Sequence, residues 1–405
     1  MRDAAKRQAS TARAAHLSTP SADIPHAGSE FDFISHIKQR AEEARAATQA
    51  GHARARTQTR QVLNPERTTR LDGRPAQADG LVLGIGDDAA VLRGRAGLDS
   101  VITVDLLVED VDFRCNALPH DIGYKALAVS LSDVAAMGAR PRWALLSLGL
   151  PQAIYDSSYA DGIYEGFLSA AREFDVALIG GDVSRTPERI VIDSIVIGET
   201  TRGRAVLRSG ARPGDHIYVT GTLGGAAAGL KLLEHAGAQR TQAARERTLS
   251  GLAELMRRQS RPAPRVRCGA LLGERRLASA MIDLSDGLSS DLAHLCERSG
   301  VGAHIEAARI PVAPLLRRAA AVNRTRLARE LTRDALSLAL HGGEDFELLF
   351  TVRPRDAARL PRTLGGVRLT RIGEVTEARE GIRISQDGRT TVLRPSGFEH
   401  FKRGR

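Results

Sequence analysis

Segments typical of β-strands alternate with segments typical of α-helices from residue 80 onward, and this alternation occurs twice along the chain. In the first half, strands are predicted at residues 101–113, 143–150, 176–179 and 190–197, and helices at residues 121–137 and 160–174. In the second half, the prediction is a strand at residues 216–219, a helix after Gly287 that ends at Gly300, and a strand at residues 346–352. Such a chain has to bury helices against sheets, so its fold class is α/β, in the broad sense of mixed α and β, in two domains.

A turn-rich segment at residues 208–215, with glycine and proline close together, separates the two halves. This composition is typical of a domain boundary. We therefore predict an N-terminal domain at residues 29–205 and a C-terminal domain at residues 206–405. Residues 1–28, rich in Ala, Ser and Arg, are predicted to form a disordered tail, and the polar stretch at residues 46–79 is predicted to be an insertion.

The formal net charge of +10 raises the question of nucleic-acid binding. Only five of the 58 basic residues are lysines, so arginine is enriched along the whole chain rather than in one basic stripe. Aromatic residues make up 4% of the chain, and they do not alternate with basic residues as a base-stacking surface would require. We therefore predict no nucleic-acid partner.

The cysteines and the apolar stretches bear on the compartment. Cys115, Cys268 and Cys296 have no CxxC spacing and are odd in number, which is typical of a reducing compartment. The longest apolar stretches, such as residues 143–150, are far shorter than the roughly 20 residues of a membrane helix. The prediction is a cytoplasmic protein with no membrane partner.

A set of aspartates lies at predicted strand ends and turns, in apolar or glycine-rich surroundings. The set consists of Asp87, Asp88, Asp105, Asp133, Asp182, Asp283 and Asp286. Any one of them is more often a turn or cap residue than a catalytic one. If several converge, however, their repulsion has to be neutralised, and Mg²⁺ with oxygen ligands is the usual means. The chain has neither a P-loop nor a GxGxxG motif after a strand, so a bound nucleotide would be held mainly through metal ions.

Five motifs, in this order, resemble those of the thiamine-monophosphate kinase family. They are LGIGDDAAVL at residues 83–92, YKALAVSLSD at residues 124–133, LIGGD at residues 178–182, IDLSDGL at residues 282–288 and GGEDFEL at residues 342–348. Each motif alone is shared loosely with related families, but the five together are specific.

The resemblance implies the fold of the aminoimidazole ribonucleotide synthetase superfamily, with two α/β domains and with the N-terminal domains pairing in a homodimer. It also implies a reaction: the γ-phosphoryl group of ATP is transferred in line to thiamine monophosphate, with the help of several Mg²⁺ ions. The products are thiamine diphosphate and ADP.

The positions of the motifs imply three sets of site residues. The implied Mg²⁺ ligands are Asp88, Thr103, Val104, Asp105, Asp133, Asp182, Asp283 and Asp286. The implied ATP contacts are Tyr164, Gly181, Asp182, Arg208 and Ser285, and the implied substrate contacts are Asp112, Glu344 and Phe398. No catalytic side chain is implied, because an acceptor phosphate with a second pKa of about 6 is already largely anionic at neutral pH.

Two positions depart from the family pattern. Val104 stands where the family usually has Thr, so a metal contact there requires the main-chain carbonyl. Asp112 stands where the family tends to have His. Its carboxylate would repel the acceptor phosphate, so we expect it to face the cationic organic part of the substrate; the alternative is a solvated residue at a strand end.

Two other functions remain open at this point. The first is another ATP-using enzyme of the same superfamily, although a hydrogenase maturation protein would be expected to end in a cysteine, and a selenide water dikinase to carry a reactive one before Cys115. The second is a catalytically reduced relative that binds nucleotide and metal for regulation. Val104 and Asp112 motivate the second alternative, while the intact aspartates argue against it.

Overall fold

The computed structural model of the protein describes residues 94–398 except residue 240, together with Gln39, Arg40 and Glu43 and the backbone of two short strands. The described residues form two compact units. The first contains those up to Ser130 and the segment Pro141–Glu199; the second contains Leu131–Arg140 and the segment from Thr200 onward. The domain limits at residues 29–205 and 206–405 stay predictions.

Several sequence-based predictions lie outside the described residues. They concern the tail at residues 1–28, the insertion at residues 46–79, and the two aspartates Asp87 and Asp88.

The first unit is built on a sheet of four described strands. Their bounds are Leu98–Val108 (β3), Arg140–Leu150 (β4), Ala177–Arg185 (β5) and Val191–Thr201 (β6), and they lie in the order β3, β6, β4, β5. Strands β4 and β5 are parallel, with Trp143 opposite Ala177. A separate antiparallel pair is formed by β1 (Leu81–Leu83) and β2 (Val91–Leu92).

Strand β3 lies at one edge of this four-stranded sheet and alternates as its sequence predicts. Ile102, Val104 and Leu106 point one way and are exposed, with 64%, 60% and 60% of their surface accessible. Thr103 and Asp105 point the other way and are half-buried. The apolar face of this edge strand is therefore the accessible one.

The helices of the first unit pack at very short backbone distances. They are α1 (Pro119–Ala136), whose residues from Leu131 onward belong to the second unit, α2 (Gln152–Tyr155) and α3 (Tyr159–Glu173). A Cβ atom at Gly123 of α1 would lie 1.8 Å from the carbonyl oxygen of Ile163, and one at Gly166 of α3 would lie 1.9 Å from that of His120. These two glycines let α1 and α3 touch backbone to backbone.

The second unit contains a larger mixed sheet. Its strands are β7 (His216–Thr220), β8 (Ala280–Asp283), β9 (Val301–Glu306), β10 (Leu348–Val352), β11 (Thr363–Leu364), β12 (Val367–Glu377), β13 (Ile382–Gln386) and β14 (Arg389–Val392). The order is β14, β13, β9, β12, β7, β10, β8, with β11 paired to β12. Strands β13 and β9 run parallel, and the other pairs are antiparallel. Strands β10 and β8 thus bring two of the five motifs to one edge.

Helices cover this sheet. They are α4 (Gly225–Gly237), α5 (Gln242–Leu249), α6 (Ala253–Ser260), α7 (Val266–Glu274), α8 (Leu288–Ser299), α9 (Pro314–Arg317), α10 (Ala319–Val322), α11 (Arg326–Arg333) and α12 (Ala335–His341). Short 3₁₀ turns lie at Ala307–Arg309, Pro354–Arg359 and Ala378–Glu380. Among the described helices, none has the length and apolar content needed to cross a bilayer.

The predicted elements are present in the structure, with shifted ends. Helix α1 ends beside Gly138 and α8 beside Gly300, and both glycines have left-handed φ values of 66°. The predicted strand at residues 176–179 does not stop at its glycines but continues as β5 to Arg185. Residues 180–185 pair with β4, which supplies hydrogen-bond partners for their main chain. This pairing outweighs the preference of Gly180 and Gly181 for turns.

We expect Gly123→Ala to destabilise the protein by about 3 kcal/mol, because the added methyl group has no room beside the Ile163 carbonyl. Gly94→Ala is the control, since a Cβ there meets nothing within 4 Å. Chemical denaturation of both variants measures the effect. Equal stability of the two would contradict the close helix contact.

Candidate functional site

A loop rich in acidic residues connects β8 to α8 in the second unit. It begins at Asp283, the last residue of β8, and ends at Gly287, which precedes α8. Gly287 has a φ of 114°, a conformation that favours glycine. The buried Asp291 on α8 accepts a hydrogen bond of 2.9 Å from the Gly287 N–H. The helix therefore holds the loop that precedes it, which we call the aspartate loop (residues 283–287).

A second loop, at residues 342–347, lies directly against the aspartate loop. The N–H of Glu344 donates to the carbonyl of Ser285 at 2.8 Å, and the N–H of Phe346 donates to that of Leu284 at 2.9 Å. In the opposite direction, the Leu284 N–H donates to the carbonyl of Glu347 at 2.8 Å. Main-chain bonds thus bring together two motifs that lie about 60 residues apart in sequence.

Glu344, an expected substrate contact, has a φ of 66°, which is unusual for a residue with a side chain. Its carboxylate accepts a 2.5 Å hydrogen bond from the side-chain amide of the buried Gln259, on α6. Residues held in such a conformation cluster at functional sites. Both the backbone and the carboxylate of Glu344 are therefore oriented by contacts within the second unit.

Glu347 is a buried carboxylate with a full set of partners. Arg265 binds both of its oxygens, and the Thr220 hydroxyl donates to it at 2.6 Å. Such bidentate pairing is the arrangement that offsets the cost of burying a charge. Glu347 therefore anchors the second loop to β7 and to the start of α7.

Asp345 caps helix α4. Its two oxygens accept hydrogen bonds from the N–H groups of Gly224, at 2.6 Å, and Ala226, at 3.1 Å. These are donors that a helix start leaves without intrahelical partners. Burial nevertheless raises the pKa of Asp345 to about 7, and the Glu347 charge adds to the increase.

Phe398 and Asp133 are also connected to the aspartate loop. The N–H of Phe398 donates to the carbonyl of Asp286 at 3.2 Å. Asp133 is half-buried on α1, and the hydroxyl of its neighbour Ser132 donates to a carboxylate oxygen of Asp283 at 2.9 Å. The second unit thus groups Asp283, Ser285, Asp286, Glu344 and Phe398, with Asp133 linked through Ser132.

The carboxylates of the aspartate loop act on Asp291, the buried residue of α8 that holds the loop. Burial, followed by the negative charges of Asp283 and Asp286, raises the pKa of Asp291 to about 8. Carboxylate oxygens are the ligands that Mg²⁺ prefers, so this donor set fits a hard divalent cation. Within the described part of the chain, however, no group of three or more His, Cys, Asp or Glu side chains is arranged to hold a metal ion.

In the first unit, a second set of site residues lies on β5 and α3. A Cβ atom at Gly181 would lie 2.0 Å from the carbonyl oxygen of Leu146, so β5 can sit this close to β4 only with glycine there. Tyr164 on α3 is buried, and burial together with the Asp182 charge raises its pKa above the ordinary value. Tyr164 is therefore close enough to Asp182 to sense its charge.

The other expected residues of the first unit lie on β3 and just after it. Val104 has an exposed side chain, while Thr103 and Asp105 are half-buried on the opposite face. Asp112 has a local structural contact, because its carboxylate accepts a 2.8 Å hydrogen bond from the N–H of Val108. Its carbonyl also accepts a hydrogen bond from Lys125 at 3.1 Å.

Arg208 lies in the segment that follows the first unit. Its side chain is exposed, and its carbonyl accepts a hydrogen bond from the Ser299 hydroxyl at 3.0 Å. The preceding residue, Leu207, accepts a main-chain bond from Met281 of β8. Arg208 is therefore placed beside the strand that leads to Asp283.

Several residues that support the site were not among the sequence-based candidates. They are Gln259, Arg265, Ser289, Ser290, Asp291, Glu347 and Gly397. Glu347 lies inside one of the five motifs, but the sequence does not show that its side chain is buried and paired with Arg265. Gln259 could not be identified from the sequence, because it lies outside the five motifs and a single glutamine in a polar helix does not indicate a function.

Comparisons with known proteins show what the chain is similar to. The family described as AIR synthase related protein, N-terminal domain, matches residues 86–200, and the corresponding C-terminal domain matches residues 212–385. The thiamine-monophosphate kinase of Escherichia coli strain K12 is 40% identical over 337 residues, covering 83% of this chain and 94% of that protein. The chain belongs to the thiamine-monophosphate kinase family.

Solved structures of this family have the same fold. A thiamine-monophosphate kinase from Stenotrophomonas maltophilia K279a is 38% identical, with a TM-score of 0.63 over 84% of this chain and 96% of that chain. A structure described as AaThiL complexed with AMPPCP and TMP is 33% identical, with a TM-score of 0.64 over 76% and 89% of the two chains. The two-domain α/β fold expected from the family resemblance is confirmed.

The raised pKa of Asp345 gives a prediction about stability and pH. Between about pH 4 and pH 7 the folded protein keeps a proton that the unfolded chain has released, so ionisation of Asp345 lowers stability as the pH rises. Asp345→Asn removes this titration but also removes one helix-capping acceptor. We therefore expect its melting temperature, relative to the wild type, to increase from pH 5 to pH 8. A constant difference in thermal melts would show that Asp345 is not protonated at pH 5.

Proposed function

We propose that this protein transfers the γ-phosphoryl group of ATP to thiamine monophosphate, giving ADP and thiamine diphosphate. The observation that carries the proposal is the 40% identity over 94% of the length of a curated thiamine-monophosphate kinase. The family structure that is described with AMPPCP and TMP supports both substrates. ATP as co-substrate also supports the cytoplasm as the compartment.

The contacts within the second unit suit this chemistry. Phosphoryl transfer asks the protein mainly to position two anionic groups and to neutralise their charge. The aspartate loop is held by Asp291 and by the loop at residues 342–347, so its carboxylates are positioned in advance. No general base is needed, because the acceptor phosphate is already anionic.

We propose Mg²⁺ as the bound cation and the expected carboxylates as its ligands. They are Asp88, Asp105, Asp133, Asp182, Asp283 and Asp286, with Thr103 and the main-chain carbonyl of Val104. Bound Mg²⁺ would supply positive charge to the phosphate oxygens. The negative charges of Asp283 and Asp286, which add to burial in raising the pKa of Asp291, support a cation at that place.

The remaining expected residues are proposed as contacts to the two substrates. Tyr164, Gly181, Asp182, Arg208 and Ser285 would contact ATP. Glu344, Phe398 and Asp112 would contact thiamine monophosphate. One oxygen of Asp112 caps the Val108 turn, which would hold the carboxylate in a fixed orientation.

The first prediction of the proposal concerns the reaction itself. With ATP and Mg²⁺, we expect ADP release with thiamine monophosphate and none with thiamine or without acceptor. Asp286→Asn should reduce this rate by orders of magnitude without unfolding the protein, because removing one charge relieves repulsion. The exposed Asp387 provides a control, and Asp387→Asn should turn over normally. Normal turnover by Asp286→Asn would contradict the ligand assignment, and equal ADP release with every acceptor would contradict the function.

We also propose a homodimer formed through the first unit. Ile102, Val104 and Leu106 form an exposed apolar row on an edge strand of the described sheet. Edge strands present main-chain groups that can pair with another chain, and exposed apolar rows mark contact surfaces. The same apolar row on a second copy of the first unit could cover these side chains.

The dimer proposal predicts that Ile102→Asp produces monomers, because a carboxylate would have to be buried in the contact. Val392→Asp is the matched control, since both side chains are 64% exposed. Sedimentation of the wild type and both variants measures the oligomeric state. A monomeric wild type, or dimers that persist in Ile102→Asp, would contradict the proposal.

A further inference from the structure

The described residues after β14, at positions 393–398, form no strand or helix, yet they are attached to the second unit at a defined place. β14 ends at Val392, and residues 396–398 then lie along the aspartate loop and the start of α8. We call residues 394–398 the C-terminal segment. Its position decides where the backbone of Phe398 lies, and the Phe398 side chain is 53% exposed.

Three consecutive main-chain N–H groups of the C-terminal segment are bound. Ser396 donates to the Ser289 hydroxyl at 3.3 Å, and Gly397 donates to the Ser290 hydroxyl at 2.9 Å. Phe398 donates to the main-chain carbonyl of Asp286 at 3.2 Å. The segment therefore contacts the aspartate loop directly and the start of α8 through the two serines.

Position 397 requires glycine because neighbouring atoms leave no room for a side chain, and not because of its backbone conformation. A Cβ atom there would lie 2.2 Å from the carbonyl oxygen of Asp286 and 2.6 Å from the hydroxyl oxygen of Ser290. The carbonyl oxygen belongs to the backbone and cannot move away as a flexible side chain would. Any larger residue at position 397 would push the C-terminal segment off the aspartate loop.

Ser289 ties the same segment to a third element. Its hydroxyl lies 2.8 Å from Nδ1 of His341, at the end of α12. Because this hydroxyl accepts a bond from Ser396, its single proton is available for Nδ1, which suits a neutral imidazole protonated at Nε2. Burial lowers the pKa of His341 and so favours that neutral form.

We propose that Ser290 and Gly397 are positioning residues, which fix the C-terminal segment on the aspartate loop and so place the Phe398 ring for recognition of the organic part of the acceptor. The proposal rests on the proposed function, in which Phe398 contacts thiamine monophosphate. It adds that acceptor binding depends on how tightly the segment is attached. Asp286 is then connected to the acceptor contact through its own main-chain carbonyl.

The size of the expected effect follows from the number of bonds involved. One hydrogen bond contributes about 0.5 to 1.5 kcal/mol, and a tenfold change in affinity corresponds to about 1.4 kcal/mol. Ser290→Ala should therefore raise the KM for thiamine monophosphate by up to about tenfold. Gly397→Ala displaces the whole segment and should raise it by up to as much as Phe398→Ala does, since it can remove no more than the contact of the ring.

The experiment is steady-state kinetics of the full chain with thiamine monophosphate and ATP varied in turn. It uses Gly397→Ala, Ser290→Ala, Phe398→Ala and the double variant Gly397→Ala with Phe398→Ala. Val392→Ala is the control, because it changes an exposed side chain just before the segment. Circular dichroism checks that each variant is folded. If Gly397→Ala does not fold, the KM of Ser290→Ala alone tests the proposal.

We expect the KM for thiamine monophosphate to rise in all single variants except the control, with little change in kcat or in the KM for ATP. The double variant should resemble Phe398→Ala, since displacing a segment matters only while its ring is present. If Ser290 and Gly397 only stabilised the fold, their variants would raise the KM for both substrates. The effect of Gly397→Ala would then add to that of Phe398→Ala in the double variant.

Three results would overturn the inference. They are an unchanged KM for thiamine monophosphate in both Ser290→Ala and Gly397→Ala, losses that add in the double variant, or an equal rise of the two KM values. Each of these leaves the proposed function standing, because the wild type still phosphorylates thiamine monophosphate. A wild type that releases no ADP with thiamine monophosphate would instead overturn the proposed function, and this inference with it.

Discussion

The main-chain hydrogen bonds between the aspartate loop and the loop at residues 342–347 are the contacts on which the second unit's site depends. They join the carbonyls of Leu284 and Ser285 to N–H groups of the other loop. Gly343 makes this approach possible, since a Cβ there would lie 2.5 Å from the Ser285 carbonyl oxygen. Because both loops extend from paired strands, the register of β8 and β10 sets which residues face each other.

Two buried carboxylates, Glu347 and Asp291, lie on or next to these loops, and they are stabilised differently. Glu347 is neutralised within the fold by Arg265, so its role is structural. Asp291 instead accepts a hydrogen bond from the Gly287 N–H, and burial together with the negative charges of Asp283 and Asp286 raises its pKa. The proposed Mg²⁺, bound together with a phosphate-bearing substrate, would offset the negative charges of Asp283 and Asp286.

One edge strand of the first unit has two chemically different faces. On β3, Thr103 and Asp105 face one side, while Ile102 and Leu106 face the other and are exposed. The period of two along a strand makes this separation automatic. A contact between two copies on the apolar face of β3 would therefore restrict the motion of the strand and leave its polar face accessible. In this way the proposed dimer would help to position the proposed metal ligands Thr103 and Asp105.

The sequence alone determined the element types, the aspartates at strand ends and the family, because turn residues, hydrophobic periods and motif order are local properties that can be read along the chain. It did not indicate that the Ile102 face is exposed, that Gln259 orients Glu344, or that Gly397 lies on Asp286. These contacts join residues more than 80 positions apart, or depend on which side of a sheet is covered. Only the tertiary structure decides them, since sheet register and the close approach of backbones are set by packing across the whole unit.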